Sequence, residues 1–298
     1  MLSLRLITGP LLIALLLGLI WADEAIAHLS LPGPLDQWMH RGTWPPGSLL
    51  FAFVAVIVIP IASLEFTRLA RGQGIAGSVW LNGIAAITAA GTIWTAGLLP
   101  LDLARGAMGF FGTLLIAVLI VSLILFSRGQ QVAGVLAAAG AALFATIYLG
   151  VLPGFLLAIR HDHSAWVVLG ILLATKASDI GAYFTGRTLG RHKLIPWLSP
   201  GKTWEGLIGG VVAGALVGAA LAAFSRSLGL GEDFSALWGA VCGMTFALVG
   251  QFGDLSESLL KRSAGAKDSG RLLPGMGGML DVLDSPLFVA PVAYWMVG

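Results

Sequence analysis

Residues 107–126 read AMGFFGTLLIAVLIVSLILF, twenty residues without one charged side chain. About 20 apolar residues are what an α-helix needs to cross the hydrocarbon core of a bilayer. Working outward, eight further stretches are predominantly apolar and long enough to span: Leu4–Trp21, Ser48–Leu64, Val79–Leu99, Val132–Leu152, Ala165–Thr185, Gly206–Phe224, Ser235–Gly253 and Leu283–Val297. The chain therefore reads as an all-α, polytopic integral membrane protein with about nine transmembrane helices. Composition agrees: of 298 residues, 57% are hydrophobic and 11% charged, with mean hydropathy +0.90. Soluble domains carry roughly 25% charged residues, so lipid is the natural solvent for this chain. The Gly/Ala-rich stretches Val79–Leu99 and Val132–Leu152 suit close helix packing in lipid.

The basic residues set the expected orientation. With the N-terminus cytoplasmic and spans alternating, Arg5, Arg68, Arg71, Arg128, Arg187, Arg191, Lys193, Lys202, Lys261, Arg262, Lys267 and Arg271 fall inside. Only Arg41, Arg105, Arg160 and Arg226 fall outside, which is the positive-inside pattern. Eight or ten spans would put a charged block on the wrong side. The first span has an alternative reading as a signal peptide, with Ala25-Ile26-Ala27 as a cleavage site; a retained helix is the expectation, because the rest of the chain is itself membrane-embedded. A net charge of +2 excludes a basic field for nucleic acid, and one cysteine, Cys242, excludes a disulfide framework and a cysteine zinc site.

Charge is concentrated in two blocks, residues 176–205 and 254–284, which hold 16 of the 32 charged side chains. The expected division is thus residues 1–160 as N-terminal transmembrane helices and 161–298 as a C-terminal catalytic region with cytoplasmic motif loops. In the first block, Lys176 and Asp179 lie three apart in an otherwise apolar helix, on one face. Intramembrane charge is costly and turns toward a cavity or a partner; a self-neutralising ion pair that only supports packing is the alternative. Next comes Ser199-Pro-Gly-Lys202-Thr203-Trp-Glu205-Gly206. Ser before Pro, ahead of an apolar run, predicts a helix start with Ser199 as N-cap, and a helix N-terminus receives anions. Gly201-Lys202-Thr203 is not a P-loop, since Pro196 stands where the first glycine belongs.

In the second block, Asp281 and Asp284 stand three apart at the start of the last span, so one face presents both carboxylates. They repel unless a cation lies between them, and carboxylates combined with substrate phosphates are the usual way to hold Mg²⁺. The alternative is that both merely favour a helix N-terminus through its dipole. Asp254 is a candidate third ligand. Lys261, Arg262 and Lys267 supply positive charge for phosphates, and Pro274–Gly278 allows a tight turn. Metal-assisted phosphoryl-type chemistry on a membrane substrate is the reading of the residues.

The run Ser258-Leu-Leu-Lys261-Arg262, four residues, Lys267-Asp268-Ser-Gly270, two residues, Leu273-Pro-Gly-Met-Gly-Gly-Met-Leu-Asp281-Val-Leu-Asp284 resembles the C-terminal signature of bacterial phosphatidate cytidylyltransferases (CDP-diacylglycerol synthases). Asp179 to Arg187 and Ser199 to Gly206 resemble further blocks of that family, and the likeness covers about residues 165–298. The family pattern has His where Met276 stands and Arg where Val282 stands. The resemblance implies transfer of CMP from CTP to phosphatidate in the inner (cytoplasmic) membrane. It implies metal ligation by Asp254, Asp281 and Asp284, with Mg²⁺ and a monovalent cation such as K⁺. The expected phosphate-holding residues are Ser199, Lys202, Thr203, Lys261, Arg262 and Lys267, with Lys176, Asp179, Glu205 and Asp268 organising the pocket. CTP, phosphatidate and membrane lipid are the expected partners, nucleic acid is not, and a homodimer is compatible with the reading. Two other classes fit the charge pattern less well: a transporter with midplane charge, and another lipid-phosphate enzyme such as a CTP-dependent polyprenol kinase.

Overall fold

The computed structural model describes residues 2–33, 42–96, 101–128, 132–227 and 234–298. Arg41, His40 and residues 97–99 of the expected third span lie outside the described residues, as do the side chains of Arg5 and Arg105. The helices are α1 (Leu2–Ala27), α2 (Ser48–Gly72), α3 (Val79–Ala96), α4 (Leu101–Ser127), α5 (Val135–Asp162), α6 (Ala165–Thr188), α7 (Trp204–Ser227), α8 (Ala236–Ser263) and α9 (Met279–Val297). Among the described residues these nine are long and apolar enough to cross a membrane. A hairpin, β1 (Lys193–Ile195) and β2 (Ser199–Thr203), joins α6 to α7.

Several helices outrun the apolar stretches that announce them. α2 continues to Gly72 past Leu64, α5 to Asp162 past Leu152, and α8 to Ser263 past Gly253, while α9 starts at Met279, before Leu283. Hydropathy ends where charge begins; backbone hydrogen bonding does not. Two helices carry a π turn, Val54–Val58 in α2 and Ile147–Val151 in α5, each shortly before a proline, Pro60 and Pro153. Proline has no N–H and its ring pushes away the carbonyl one turn back. A locally widened turn accommodates both effects without ending the helix.

The chain divides into two compact units, Met1–Ala165 with Ala264–Asp281, and Trp166–Ser263 with Val282–Gly298. In the first unit the small residues Ala85, Ala86, Ala89 and Ala90 of α3 are buried. A side chain at Gly150 of α5 would stand 2.5 Å from the Ala86 carbonyl oxygen, so these helices pack backbone to backbone. The ends of three helices are tied by one buried acid. Asp23 of α1 accepts from the amides of Gly47, Leu49 and Leu50 at the start of α2, at 3.2, 3.0 and 3.1 Å. Its carboxylate also meets Arg160 Nε of α5 at 2.8 Å, and Arg160 reaches Glu24 at 3.1 Å. Cleavage after Ala27 would take both acids away from Arg160.

In the second unit α7 and α8 cross on a glycine ladder. Gly206, Gly210, Gly214 and Gly218 recur every four residues along α7 and are buried. A Cβ on Gly214 would meet the Gly243 carbonyl oxygen of α8 at 2.5 Å, and one on Gly218 would overlap the Gly239 oxygen. This is the small-xxx-small contact that drives association where the solvent is already apolar. The same device joins α8 to α9: a side chain at Gly253 would strike the Asp284 carbonyl oxygen, and one at Gly250 would press on Ser285. The backbones of α8 and α9 therefore run close where the acids stand.

The hairpin corrects one expectation. Ser199 is not an N-cap: residues 199–203 are extended and pair antiparallel with 193–195, in the register Lys193–Thr203 and Ile195–Ser199. The cap is Thr203, whose hydroxyl accepts from Gly206 N at 3.0 Å, and α7 starts at Trp204. Thr203 satisfies an orphan amide of the first turn, whereas Pro200 sits in a strand whose pairing holds it four residues short of the helix.

Candidate active site

Asp254 and Glu257 lie three apart on α8, one turn along the same face. Asp284 comes from α9, brought alongside by Gly253 and Gly250. One carboxylate oxygen from each of Asp254, Glu257 and Asp284 lies within 4.8 Å of the others. Glu257 is fully buried and Asp284 nearly so. Two unit charges at about 5 Å repel by roughly 3 kcal/mol at an effective dielectric near 20, so three carboxylates at that spacing require positive charge among them.

Three lysines supply it from three elements. Lys202 Nζ, at the end of β2, stands 2.8 Å from Asp254. Lys261 Nζ, one turn along α8, stands 2.5 Å from Glu257. Lys176 Nζ of α6 lies 3.7 Å from Asp284 and 3.1 Å from Asp179. The i, i+3 pairing of Lys176 with Asp179 exists as the spacing predicts, but the lysine also faces the acid cluster. Among the described contacts, four acids face three ammonium groups. The donors are all carboxylate oxygens, the kind that hard divalent cations take. The cluster could therefore hold a metal ion, and the lysines place positive charge beside it. Ser258 Oγ lies 3.5 Å from Asp254, and Asp284 accepts from Ser285 N at 2.6 Å.

Asp281 belongs to the first unit and is engaged differently. Its Oδ2 accepts from Ser269 N at 2.9 Å, Ser269 Oγ at 2.9 Å and Gly278 N at 2.7 Å. Gly278 immediately precedes α9 and Asp281 is its third residue, so this is the return half of a capping box. Ser269 Oγ also lies 2.9 Å from Glu65 of α2, so its one proton is shared between the two acids. Glu65, 3% exposed, accepts from Met279 N at 2.9 Å and Leu280 N at 3.0 Å, the first amides of α9.

The remaining expected residues are spread along these elements. Glu205 accepts from Arg191 N at 3.1 Å and His192 N at 3.2 Å, and meets the His192 ring at 2.6 Å. It thus tethers the hairpin's entry rather than the acid cluster. Ser199 is half-buried, Thr203 is buried in its capping role, and Arg262, Lys267 and Asp268 are exposed. Sequence reasoning assigns no role to Glu257 or Glu65. Glu257 carries the same signal as Asp281 and Asp284, two acids three apart. Glu65 carries a weaker one, a lone acid just past an apolar run that ends at Leu64.

Similarity to known proteins gives this geometry a context. A sequence model of the cytidylyltransferase family matches residues 43–298, so it takes in both units and every residue of the acid cluster. The chain belongs to the cytidylyltransferase family. Some relatives agree along most of the length and others along about half: the phosphatidate cytidylyltransferase of Brucella suis biovar 1 (strain 1330) is 36% identical over 273 residues, 88% of each chain. That of Haemophilus influenzae (strain ATCC 51907 / DSM 11121 / KW20 / Rd) is 38% identical over 133 residues, 44% of this chain and 46% of its own. That of Mycobacterium tuberculosis (strain CDC 1551 / Oshkosh) is 39% identical over 160 residues, 51% of this chain and 46% of its own. In this cytidylyltransferase the acids and lysines gathered in the second unit come from α6, β2, α8 and α9.

Proposed function

We propose that the protein transfers CMP from CTP to phosphatidate, releasing pyrophosphate and leaving CDP-diacylglycerol in the membrane. The observation that carries the reading is the Asp254–Glu257–Asp284 cluster ringed by Lys176, Lys202 and Lys261, in a chain whose 36%-identical relative bears that activity in its name. The new bond joins a phosphate oxygen of phosphatidate to the α-phosphorus of CTP. The bond from that phosphorus to the α–β bridging oxygen breaks, and its electron pair leaves with pyrophosphate. A phosphomonoester has its second pKa at about 6, so the nucleophile is already anionic and needs no strong base. The task is to bring two anions together and hold the charge that develops on the leaving group.

Lys202 and Lys261 exchange a carboxylate for a phosphate oxygen when substrate arrives, and Lys176 steadies Asp284. Mg²⁺ bound among the carboxylates supplies charge neutralisation and orientation of phosphate oxygens; K⁺ is the second cation of the proposal. Asp281 is retained as a further ligand on its spacing in α9, with Ser199, Thr203, Arg262 and Lys267 as phosphate-holding groups and Asp179, Glu205 and Asp268 as organisers. The positive-inside pattern supports an inner-membrane protein with its N-terminus and this site cytoplasmic, where CTP is found.

The test is purified protein with phosphatidate and CTP labelled at the α- or the γ-phosphate. Label entering lipid from the α-phosphate is the expected result. Label entering only from the γ-phosphate means a kinase and overturns the proposal.

A further inference from the structure

The first half of the chain carries none of the recognised motifs, yet a side chain from it stands at the centre of the signature segment. Glu65 of α2 accepts one hydrogen bond from Ser269 Oγ, 204 residues away, and two from the opening amides of α9, Met279 N and Leu280 N. A helix N-terminus normally finds its cap in the preceding residues. The preceding residue here is Gly278, which has no side chain, and the cap is delivered from another helix.

The glycines of the segment are shaped to that carboxylate. A Cβ on Gly278 would stand 2.5 Å from both Glu65 oxygens, and one on Gly270 would overlap Oε1 of Glu65. Gly277, with φ +103°, turns the chain at a conformation closed to other residues, and a Cβ there would stand 2.5 Å from Asp281 Oδ2. Ser269 links the two acids, contacting Glu65 and Asp281 at 2.9 Å each. Removing Glu65 would leave two amides without this acceptor and end the sharing of the single Ser269 hydroxyl proton between Glu65 and Asp281.

We propose that Glu65 is a positioning residue of the transfer site: it fixes Ser269, the glycine turn and the first turn of α9, and so sets where Asp281 stands. The proposal rests on the cytidylyl-transfer reading for its consequence in catalysis and on hydrogen bonding alone for its structural half. Gln is the informative replacement at 65, because its NH₂ group is a donor aimed at donors.

The experiment compares full-length wild type, Glu65→Gln, Ser269→Ala and the double variant, purified in detergent. The first readout is amide hydrogen exchange over residues 269–281. In Glu65→Gln, which keeps one acceptor oxygen, exchange at Met279 or Leu280 rises at least about tenfold, while helices elsewhere keep their protection. The second readout is CMP transfer. kcat falls at least about tenfold and half-saturating Mg²⁺ rises several-fold, a shift that losing part of the folded protein would not produce. Adding Ser269→Ala to Glu65→Gln then costs less than about twofold more, since both break one network. Wild-type exchange, or wild-type kcat and Mg²⁺ dependence, in folded Glu65→Gln overturns the proposal. If that variant does not fold, Ser269→Ala decides in the same way. A wild-type protein that transfers no CMP sinks the functional reading instead, and the exchange measurement still judges the positioning role.

Discussion

At the level of single residues, two carboxylates three apart make different things in different places. Asp254 and Glu257 converge with Asp284 into one cluster, whereas Asp281 is bonded to Ser269 and Gly278. Asp284→Asn removes a charge from a buried oxygen-donor set. CMP transfer by this variant is expected to fall at least about a hundredfold, read with α-labelled CTP. Asp281→Asn is expected to lower transfer as well; turnover at wild-type level would remove Asp281 from the ligand set. Glu257→Ala removes one carboxylate partner of Lys261, whose side chain is 13% exposed. Breaking a buried pair from one side costs about 3–5 kcal/mol, so a thermal melt in detergent should show a clear loss of stability. The aspartates were legible in the sequence because acids at helical spacing in a hydrocarbon setting are costly unless lysines or a bound cation offset them. Glu65 was not, because nothing local distinguishes an acid that finds its partners 204 residues later.

At the level of elements, periodic glycine does what apolar burial does in soluble proteins. α7 and α8 meet through Gly214 and Gly243, each placed so that a Cβ would run into the other's carbonyl. Gly243→Val therefore forces the helices apart. Overpacking of this kind costs about 1–3 kcal/mol, and the melting temperature should fall while a control at exposed Leu237 leaves it unchanged. The apolar runs showed where the helices are and gave their number, because a 20-residue uncharged stretch has one use in a chain this hydrophobic. Their ends were less legible, because charged turns such as Glu257–Lys261 extend α8 while contributing nothing to hydropathy. The hairpin was hidden for a different reason. Ser-Pro before an apolar run is a helix-start signal, and only pairing with residues 193–195 reveals those residues as a strand.

At the level of the whole molecule, nine membrane-capable helices among the described residues and a bias of basic residues to alternate connections make orientation testable. Reporter fusions should place the N-terminus and the α6–α7 hairpin in the cytoplasm and the C-terminus outside; the opposite result would reverse the proposed placement of the site. Chelation with EDTA should abolish transfer, and added Mg²⁺ should restore it. The division of the chain is less legible than its spans. Residues 264–281 join the first unit although the helices on either side of them belong largely to the second, and their Gly-rich, charged composition reads as a motif loop of the C-terminal region. That excursion has a consequence for biosynthesis. At roughly 5–20 residues per second, a ribosome takes roughly 10–40 s to travel from Glu65 to Ser269, the 204 residues that separate them. Over that interval α2 is already made while the amides that receive its carboxylate are not. A nascent chain of this protein therefore holds an acid in waiting inside an apolar helix, and release of the last two spans is the step that closes it.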